Sequence, residues 1–126
     1  MLKLGFIGSG TVGTALAVRL SQKGYPVVAA TSRTLASAQR LARMVNGCRA
    51  YETLQQAADV AELVFVTTPD DAIGGTVAGL RWGPGKRVVH CSGAASLDIL
   101  EPARQVGAQV GGFHPLQTFA SIQQAI

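Results

Sequence analysis

The chain opens with Leu2-Lys3-Leu4-Gly5-Phe6-Ile7, then Gly8-Ser9-Gly10-Thr11-Val12-Gly13, then Thr14-Ala15-Leu16-Ala17-Val18-Arg19-Leu20. This pattern predicts a short apolar strand, a turn with glycines at G-x-G-x-x-G spacing, and an amphipathic helix. Gly8 permits the tight turn, Gly10 lets a phosphate approach the backbone, and Gly13 lets the helix pack against the strand. Because the helix start also offers free N–H groups and a positive dipole end, the stretch predicts a diphosphate site. A glycine turn that binds no ligand is the alternative.

The composition is typical of one globular domain with a large core, since 48% of the 126 residues are hydrophobic and 14% are charged. No apolar run approaches the roughly 20 residues needed to cross a membrane. The N-terminus also lacks the features of a secretory signal peptide, so we expect a cytoplasmic protein with no membrane partner. The two cysteines, Cys48 and Cys91, indicate neither a disulfide framework nor a metal site, and we expect both to be buried free thiols.

The charges are unevenly distributed along the chain. No Asp or Glu precedes Glu52, although the net charge is +4 and that span holds many basic residues. A basic first half attracts an anion, either a phosphorylated cofactor or nucleic acid. The nucleic-acid interpretation is weaker, because aromatic residues are only 6% and no recognised nucleic-acid motif is present. We therefore expect a small-molecule ligand and no nucleic-acid partner.

Strand and helix patterns alternate along the rest of the chain. Further strands are predicted at 27–31, 48–51, 62–67, 87–91 and 108–113, with helices between them. Gly24 is expected at the left-handed end of the first helix and Thr34 at the cap of the second. Asp70 or Asp71 is expected to cap the helix that reaches about Leu80, and Pro102 to split or restart the last helix.

This alternation predicts an α/β fold with right-handed crossovers and a parallel sheet. The glycine turn specifies a Rossmann, doubly wound sheet of about six strands in the order 3-2-1-4-5-6, in three α/β/α layers. One such domain fills residues 1–126. The carboxyl ends of strands one, two, four and five then meet at one edge, with a ligand crevice between strands one and four.

The end of the second strand decides which dinucleotide fits. An NAD-preferring domain places Asp or Glu there to bond the ribose 2′-hydroxyl. Here Ser32 and Arg33 stand in its place, and a guanidinium bonds the 2′-phosphate that a carboxylate would repel. We therefore predict NADP rather than NAD, with a solvated arginine at a helix start as the alternative. The predicted cofactor-binding residues are Gly8, Ser9, Gly10, Thr11, Val12, Gly13, Ser32, Arg33, Thr34, Thr67, Thr68, Pro69 and Ser92.

Residues 5–13, 31–34 and 66–73 together resemble the N-terminal domains of a broad group of NADP oxidoreductases. The group includes pyrroline-5-carboxylate reductases, deazaflavin-dependent NADP reductases, and 6-phosphogluconate and 3-hydroxyacid dehydrogenases. Residues 90–94 and 112–119 are similar to a bacterial subgroup of Rossmann-like oxidoreductases. The resemblance implies that the loop Thr67-Thr68-Pro69-Asp70 contacts the ribose and nicotinamide side of the cofactor. A strand-to-helix turn with an Asp cap is the alternative for this loop.

Members of this group usually continue into a helical domain that supplies the substrate pocket, catalytic residues and dimer contacts. The sequence given ends at Ile126, so we expect that domain to be absent here, through truncation or in a naturally short protein. The apolar face left without it predicts a homo-oligomer, with a dimer expected.

Two residues are candidates for catalysis. Ser92 follows the fifth strand and could orient a carbonyl or amine substrate, although an ordinary loop serine is the alternative. His114 follows the sixth strand and has a side chain suited to acid–base chemistry at neutral pH. Its alternative is a structural role beside Pro115, and His90 is expected to be a core or strand-end histidine. The function predicted is an NADP-dependent oxidoreductase acting on a small carbonyl, imine or hydroxy acid; a regulatory or sensory NAD(P)-binding module without catalysis is the alternative.

Overall fold

The alternating pattern folds into one sheet with helices on both faces. The computed structural model describes residues 2–91 and 97–112. The elements are β1 (Leu4–Ile7), α1 (Thr11–Gln22), β2 (Val27–Thr31), α2 (Leu35–Met44), β3 (Arg49–Ala50), α3 (Leu54–Val60), β4 (Leu63–Val66), α4 (Asp70–Ala78), β5 (Arg87–His90), a 3₁₀ turn (Leu97–Leu100), α5 (Glu101–Arg104) and β6 (Gln109–Gly112). The six strands are parallel and lie in the order β3-β2-β1-β4-β5-β6, which confirms the predicted topology.

The two central strands, β1 and β4, are buried along their whole length. Their side chains alternate between the faces, so Phe6 and Phe65 pack in the core beside α1 and α2. Ile7 and Val66 point into the second core, beside α3, α4 and α5. The rings of Phe6 and Phe65 stack across the strands with centroids 4.7 Å apart. Continuous apolar strands of this kind are what a parallel sheet covered on both faces requires.

The cap predicted for α2 is present, whereas the cap predicted for α4 is not. Thr34 caps α2, accepting the Ser37 N–H at 3.2 Å, as predicted. The predicted cap of α4 by Asp70 or Asp71 is wrong, because Pro69 holds the N-cap position without a side-chain hydrogen bond and Asp70 is already the first helical residue. Pro102 lies in the first turn of α5, directly after the 3₁₀ turn, so the predicted interruption is confirmed.

The predicted boundaries and cysteine environments need smaller corrections. The third strand is only two residues long, and β4 starts at Leu63. The side chain of Glu62 instead accepts the Lys3 N–H at 2.9 Å. Cys48 and Cys91 form no disulfide and are half-buried rather than buried, because one precedes the short edge strand and the other follows β5. Burial still raises the pKa of the Cys48 thiol to about 11.

One lysine ties the turn before β5 to the crossover helix α3. The Lys86 ammonium donates to the carbonyl oxygens of Ala58, Asp59 and Ala61 at 2.8, 2.9 and 2.6 Å. These are carbonyls at the helix C-terminus, where a cation also complements the helix dipole. The contact fixes α3 beneath the sheet. None of the helices in the described ranges has the length and apolar content of a membrane span.

Candidate functional site

A crevice of about 750 Å³ opens at the carboxyl edge of the sheet, where β1 and β4 diverge. The chain leaves these two strands toward opposite faces, so the space between their ends stays open. Of the residues predicted for this site, those that line the crevice are Gly8, Ser9, Gly10, Thr11, Val12, Ser32, Arg33, Thr67, Thr68 and Pro69.

The other predicted site residues have different positions. Gly13 is buried behind the turn and Thr34 caps α2; neither lines the crevice. Ser92 and His114 lie outside the described residues. His90 is 2% exposed and ends β5, as expected of a strand-end core histidine.

The glycine turn is shaped by contact with the end of β4. Gly8 has φ +98°, and a Cβ there would lie 2.8 Å from the Thr67 carbonyl carbon. A Cβ on Gly13 would lie 2.7 Å from the Gly8 carbonyl oxygen and would also collide with the Thr67 hydroxyl. Both glycines are therefore required by close approach, and for Gly8 also by its left-handed backbone.

Thr67 holds this turn in place. Its hydroxyl donates to the carbonyl oxygen of Gly8 at 2.8 Å and is shared with that of Ile7 at 3.2 Å. Its backbone N–H also donates to the Ile7 carbonyl oxygen at 2.8 Å. Since the hydroxyl hydrogen is used within the turn, Thr67 can offer a ligand only an acceptor.

The start of α1 leaves its backbone donors available. Gly10 is the N-cap, without a side-chain cap, and the first turn contains no acidic residue. The first amide to bond back is that of Thr14, which donates to the Gly10 carbonyl oxygen at 2.9 Å. Among residues 2–91 and 97–112, no atom outside the adjoining backbone lies within 4 Å of the position that a Cβ on Gly10 would occupy. Open N–H groups, the positive dipole end and free space together form an anion site.

Two hydroxyls at this crevice have no hydrogen-bond partner in the described part of the chain. The buried oxygens are Ser9 Oγ, in the glycine turn, and Thr68 Oγ1, in the loop after β4. An unsatisfied buried polar group costs about 1–3 kcal/mol. Hydroxyls left without a partner on both sides of a crevice indicate a polar ligand that supplies one.

The far end of the crevice is built by the ends of β2 and β3. Ser32 and Arg33 follow β2, and Arg33 is exposed with no ion pair in the described ranges. The Thr31 hydroxyl donates to the Tyr51 carbonyl oxygen at 3.1 Å, so the two strand ends lie side by side. This brings the loop after β3 to the crevice.

Sequence reasoning missed several lining residues. Those that follow β3 are Glu52, Thr53 and Leu54, those on α4 are Ala72, Ile73 and Thr76, and Cys91 follows β5. The helical set could have been found from its spacing, because positions four apart on a helix share a face. The loop after β3 carries no motif and is brought here by strand pairing. No group of His, Cys, Asp or Glu suited to a metal ion occurs among residues 2–91 and 97–112.

Comparison with known proteins agrees with this geometry. The model of the Rossmann-like domain family matches residues 1–115. The chain therefore belongs to the Rossmann-like domain family, and the resemblance derived from its motifs is confirmed at this level.

Its relatives are named as oxidoreductases. The chain is 29% identical to 2-hydroxy-3-oxopropionate reductase of Escherichia coli (strain K12) over 88% of this chain and 38% of that protein. It is 31% identical to 2-(hydroxymethyl)glutarate dehydrogenase of Eubacterium barkeri over 78% of this chain and 31% of the relative. The chain thus matches well under half the length of these curated relatives.

Among solved structures, the fold is similar to that of a reductive aminase from Aspergillus terreus in complex with NADPH and ethyl levulinate. The TM-score is 0.74 at 24% identity, over 89% of this chain and 40% of the aminase. An imine reductase from a Pseudomonas species gives a TM-score of 0.73 at 22% identity, over 88% of this chain and 40% of that enzyme. These likenesses show a shared Rossmann-like fold.

Proposed function

We propose that this chain is the NADP-binding domain of an oxidoreductase that acts on a small carbonyl, imine or hydroxy acid. The observation that carries the proposal is the position of Arg33, which lines the same crevice as the uncapped start of α1. One end of the crevice thus suits a diphosphate and the other a further phosphate. NADP carries both groups, 2′-phosphate and diphosphate, within one molecule.

The chain's own groups fit this cofactor. The backbone N–H groups at the start of α1 bind the diphosphate, and the space above Gly10 admits it. The Arg33 guanidinium and Ser32 hydroxyl bond the 2′-phosphate. The unpartnered hydroxyls of Ser9 and Thr68 gain hydrogen bonds from the ligand.

The nicotinamide ring, when bound, supplies the hydride chemistry, and the protein supplies position and electrostatics. The loop Thr67-Thr68-Pro69 holds the ribose on the nicotinamide side. Ser92 orients the substrate carbonyl or amine, and His114 gives or takes a proton at the substrate oxygen or nitrogen. The relatives' names, a reductase and a dehydrogenase of small organic acids, support this reaction class.

The proposal places a helical domain after this one in the full-length protein, outside the 126 residues given. The matched region makes up 38% of the reductase relative, and the remainder there is available for a substrate domain. A second domain would cover the crevice and exclude water from the reacting atoms. The homodimer and the cytoplasmic location expected from the sequence belong to the same proposal.

Calorimetric titration of the 126-residue chain with NADP and with NAD tests this function. We expect binding of both, tighter for NADP. Arg33→Ala should weaken NADP about tenfold or more, since a charge-assisted hydrogen bond is lost, and leave NAD within about twofold. Arg43→Ala is the matched control, because Arg43 is exposed on the last turn of α2 and does not line the crevice.

Two results would count against the proposal in different ways. Absence of binding to either dinucleotide would refute the cofactor assignment. An unchanged ratio of NADP to NAD affinity in Arg33→Ala would remove Arg33 from the 2′-phosphate site while leaving the domain a dinucleotide binder.

A further inference from the structure

We infer that Glu52 is a second determinant of cofactor choice, which acts against Arg33 and keeps the site open to NAD as well as NADP. The inference rests on the proposed function, because it concerns the 2′-phosphate end of that same site. Arg33 favours a phosphate on the ribose; the Glu52 carboxylate disfavours it.

Strand register places Glu52 beside the proposed phosphate site. In the parallel pair β2–β3, Ala29 lies opposite Arg49 and Ala30 opposite Ala50. The Tyr51 N–H donates to the Ala30 carbonyl oxygen at 2.9 Å, so the pairing continues past the strand end. Carrying the register two residues further sets Glu52 next to Ser32.

Adjacent parallel strands lie about 4.8 Å apart, and Ser32 and Glu52 follow the carboxyl ends of the paired strands β2 and β3. Ser32, Arg33 and Glu52 all line the crevice. A cation and an anion therefore flank the same end of it.

None of the described residues neutralises the Glu52 carboxylate by direct contact. Within the described residues its carboxylate has no hydrogen bond and no ion pair with Arg33. The nearby Arg49 guanidinium lies over the Tyr51 ring instead, 5.2 Å from its centroid. Glu52 is exposed, and among the side chains described it is the single carboxylate that lines the crevice.

This arrangement also gives meaning to the charge pattern of the sequence. The acid-free part of the chain ends at Glu52, and its first carboxylate lies at the crevice rather than on a remote surface. The region that builds the anion site is thus free of acids except at the point where the 2′-phosphate would be accommodated.

The two cofactors respond differently to this carboxylate. A 2′-phosphate carries close to two negative charges near neutral pH, whereas the 2′-hydroxyl of NAD carries none. In a water-like medium, a carboxylate on the order of 10 Å from such a phosphate weakens NADP binding about two- to fivefold at low salt. The uncharged 2′-hydroxyl of NAD is not repelled, so Glu52 reduces the preference for NADP over NAD that Arg33 creates.

Glu52→Gln tests the inference, because it removes the charge and keeps the size of an exposed side chain. Glu62→Gln is the matched control: Glu62 lies just before β4, at the opposite edge, and its Oε1 accepts the Lys3 N–H, which glutamine can still do. The dissociation constants of NADP and NAD are measured for the wild type and both variants, at low salt and at high salt.

We expect Glu52→Gln to tighten NADP binding about two- to fivefold at low salt without tightening NAD binding, and Glu62→Gln to leave both affinities unchanged. The gain should shrink at high salt. An unchanged NADP-to-NAD ratio in a chain that binds NADP would overturn this inference alone. Equal weakening of both cofactors would also overturn it, since Glu52 would then bond a group common to the two. A wild type that binds neither dinucleotide would overturn the proposed function and this inference together.

Discussion

Among the helices that begin at the crevice, α1 and α3 begin in opposite ways. At the start of α3, Thr53 and Gln56 form a capping box: the Gln56 N–H donates to Thr53 Oγ1 at 3.1 Å and the Thr53 N–H to Gln56 Oε1 at 3.2 Å. At the start of α1, Gly10 offers no side chain and the first turn no acid. Side chains of α3 itself therefore bond the N–H groups at its start, whereas the N–H groups at the start of α1 remain available to an anion.

This difference indicates which of the two helix starts can bind an anion. A side-chain cap bonds N–H groups in the first turn that have no partner within the helix, and both α2 and α3 are capped in this way. An uncapped helix start at the edge of a crevice, with open space beside it, leaves its N–H donors available to an external anion. Three substitutions test this difference: one changes the glycine turn before α1, one adds a cap to α1, and one removes the cap of α3.

Gly8→Ala should have the largest effect. It forces an alanine into φ +98° and drives its Cβ against the backbone at Thr67. We expect a loss of about 3 kcal/mol in the free energy of unfolding, measured by urea denaturation. Gly24→Ala is the control, since Gly24 has φ +92° and, beyond its chain neighbours, none of the described residues comes within 4 Å of the added Cβ. It should lose only about 1 kcal/mol. Equal losses would mean that contact with β4 does not constrain the turn.

Gly10→Asp should give α1 the cap that it lacks and remove the anion site. The carboxylate can bond the first-turn amides and occupies the space meant for phosphate. We expect NADP affinity to fall at least about tenfold, while the free energy of unfolding rises by a few tenths of a kcal/mol. Gly10→Ser, which caps without charge, should weaken NADP less. A protein that gains stability yet binds NADP unchanged would contradict the site at this helix start.

Thr53→Ala should have the smallest effect of the three. It removes the capping box from α3 and should lower the free energy of unfolding by about 1 kcal/mol. Thr53→Ser retains the hydroxyl and should be close to wild type in thermal or urea unfolding. If Thr53→Ala left the free energy of unfolding unchanged, the capping box would not stabilise α3, and the two helix starts would not differ in energy.

Local signals in the sequence were sufficient for the topology and for the glycine turn. Apolar strand periods, glycine spacing and the Thr34 cap act over a few residues, and they predicted the six-strand order and about half of the crevice lining. Long-range contacts were not predictable. The bond from Thr67 to the turn joins residues 59 apart, and Glu52 reaches the crevice only through the pairing of β2 with β3. Pro69 displaced the predicted Asp cap because its own backbone already occupies the N-cap conformation.

The pairing of β1 with β4 has a consequence for how the protein folds. β1 and β4, which flank the crevice, are separated by nearly half the chain and must come together before they can pair. Closing so long a loop has an entropic cost, and this cost slows folding. A nascent chain that has not yet produced Thr67 therefore has the glycine motif but lacks the crevice. Since the proposed cofactor would bind only the completed sheet, its addition should raise the free energy of unfolding of the whole domain by mass action. The proposal thus predicts a melting temperature that rises with the concentration of NADP.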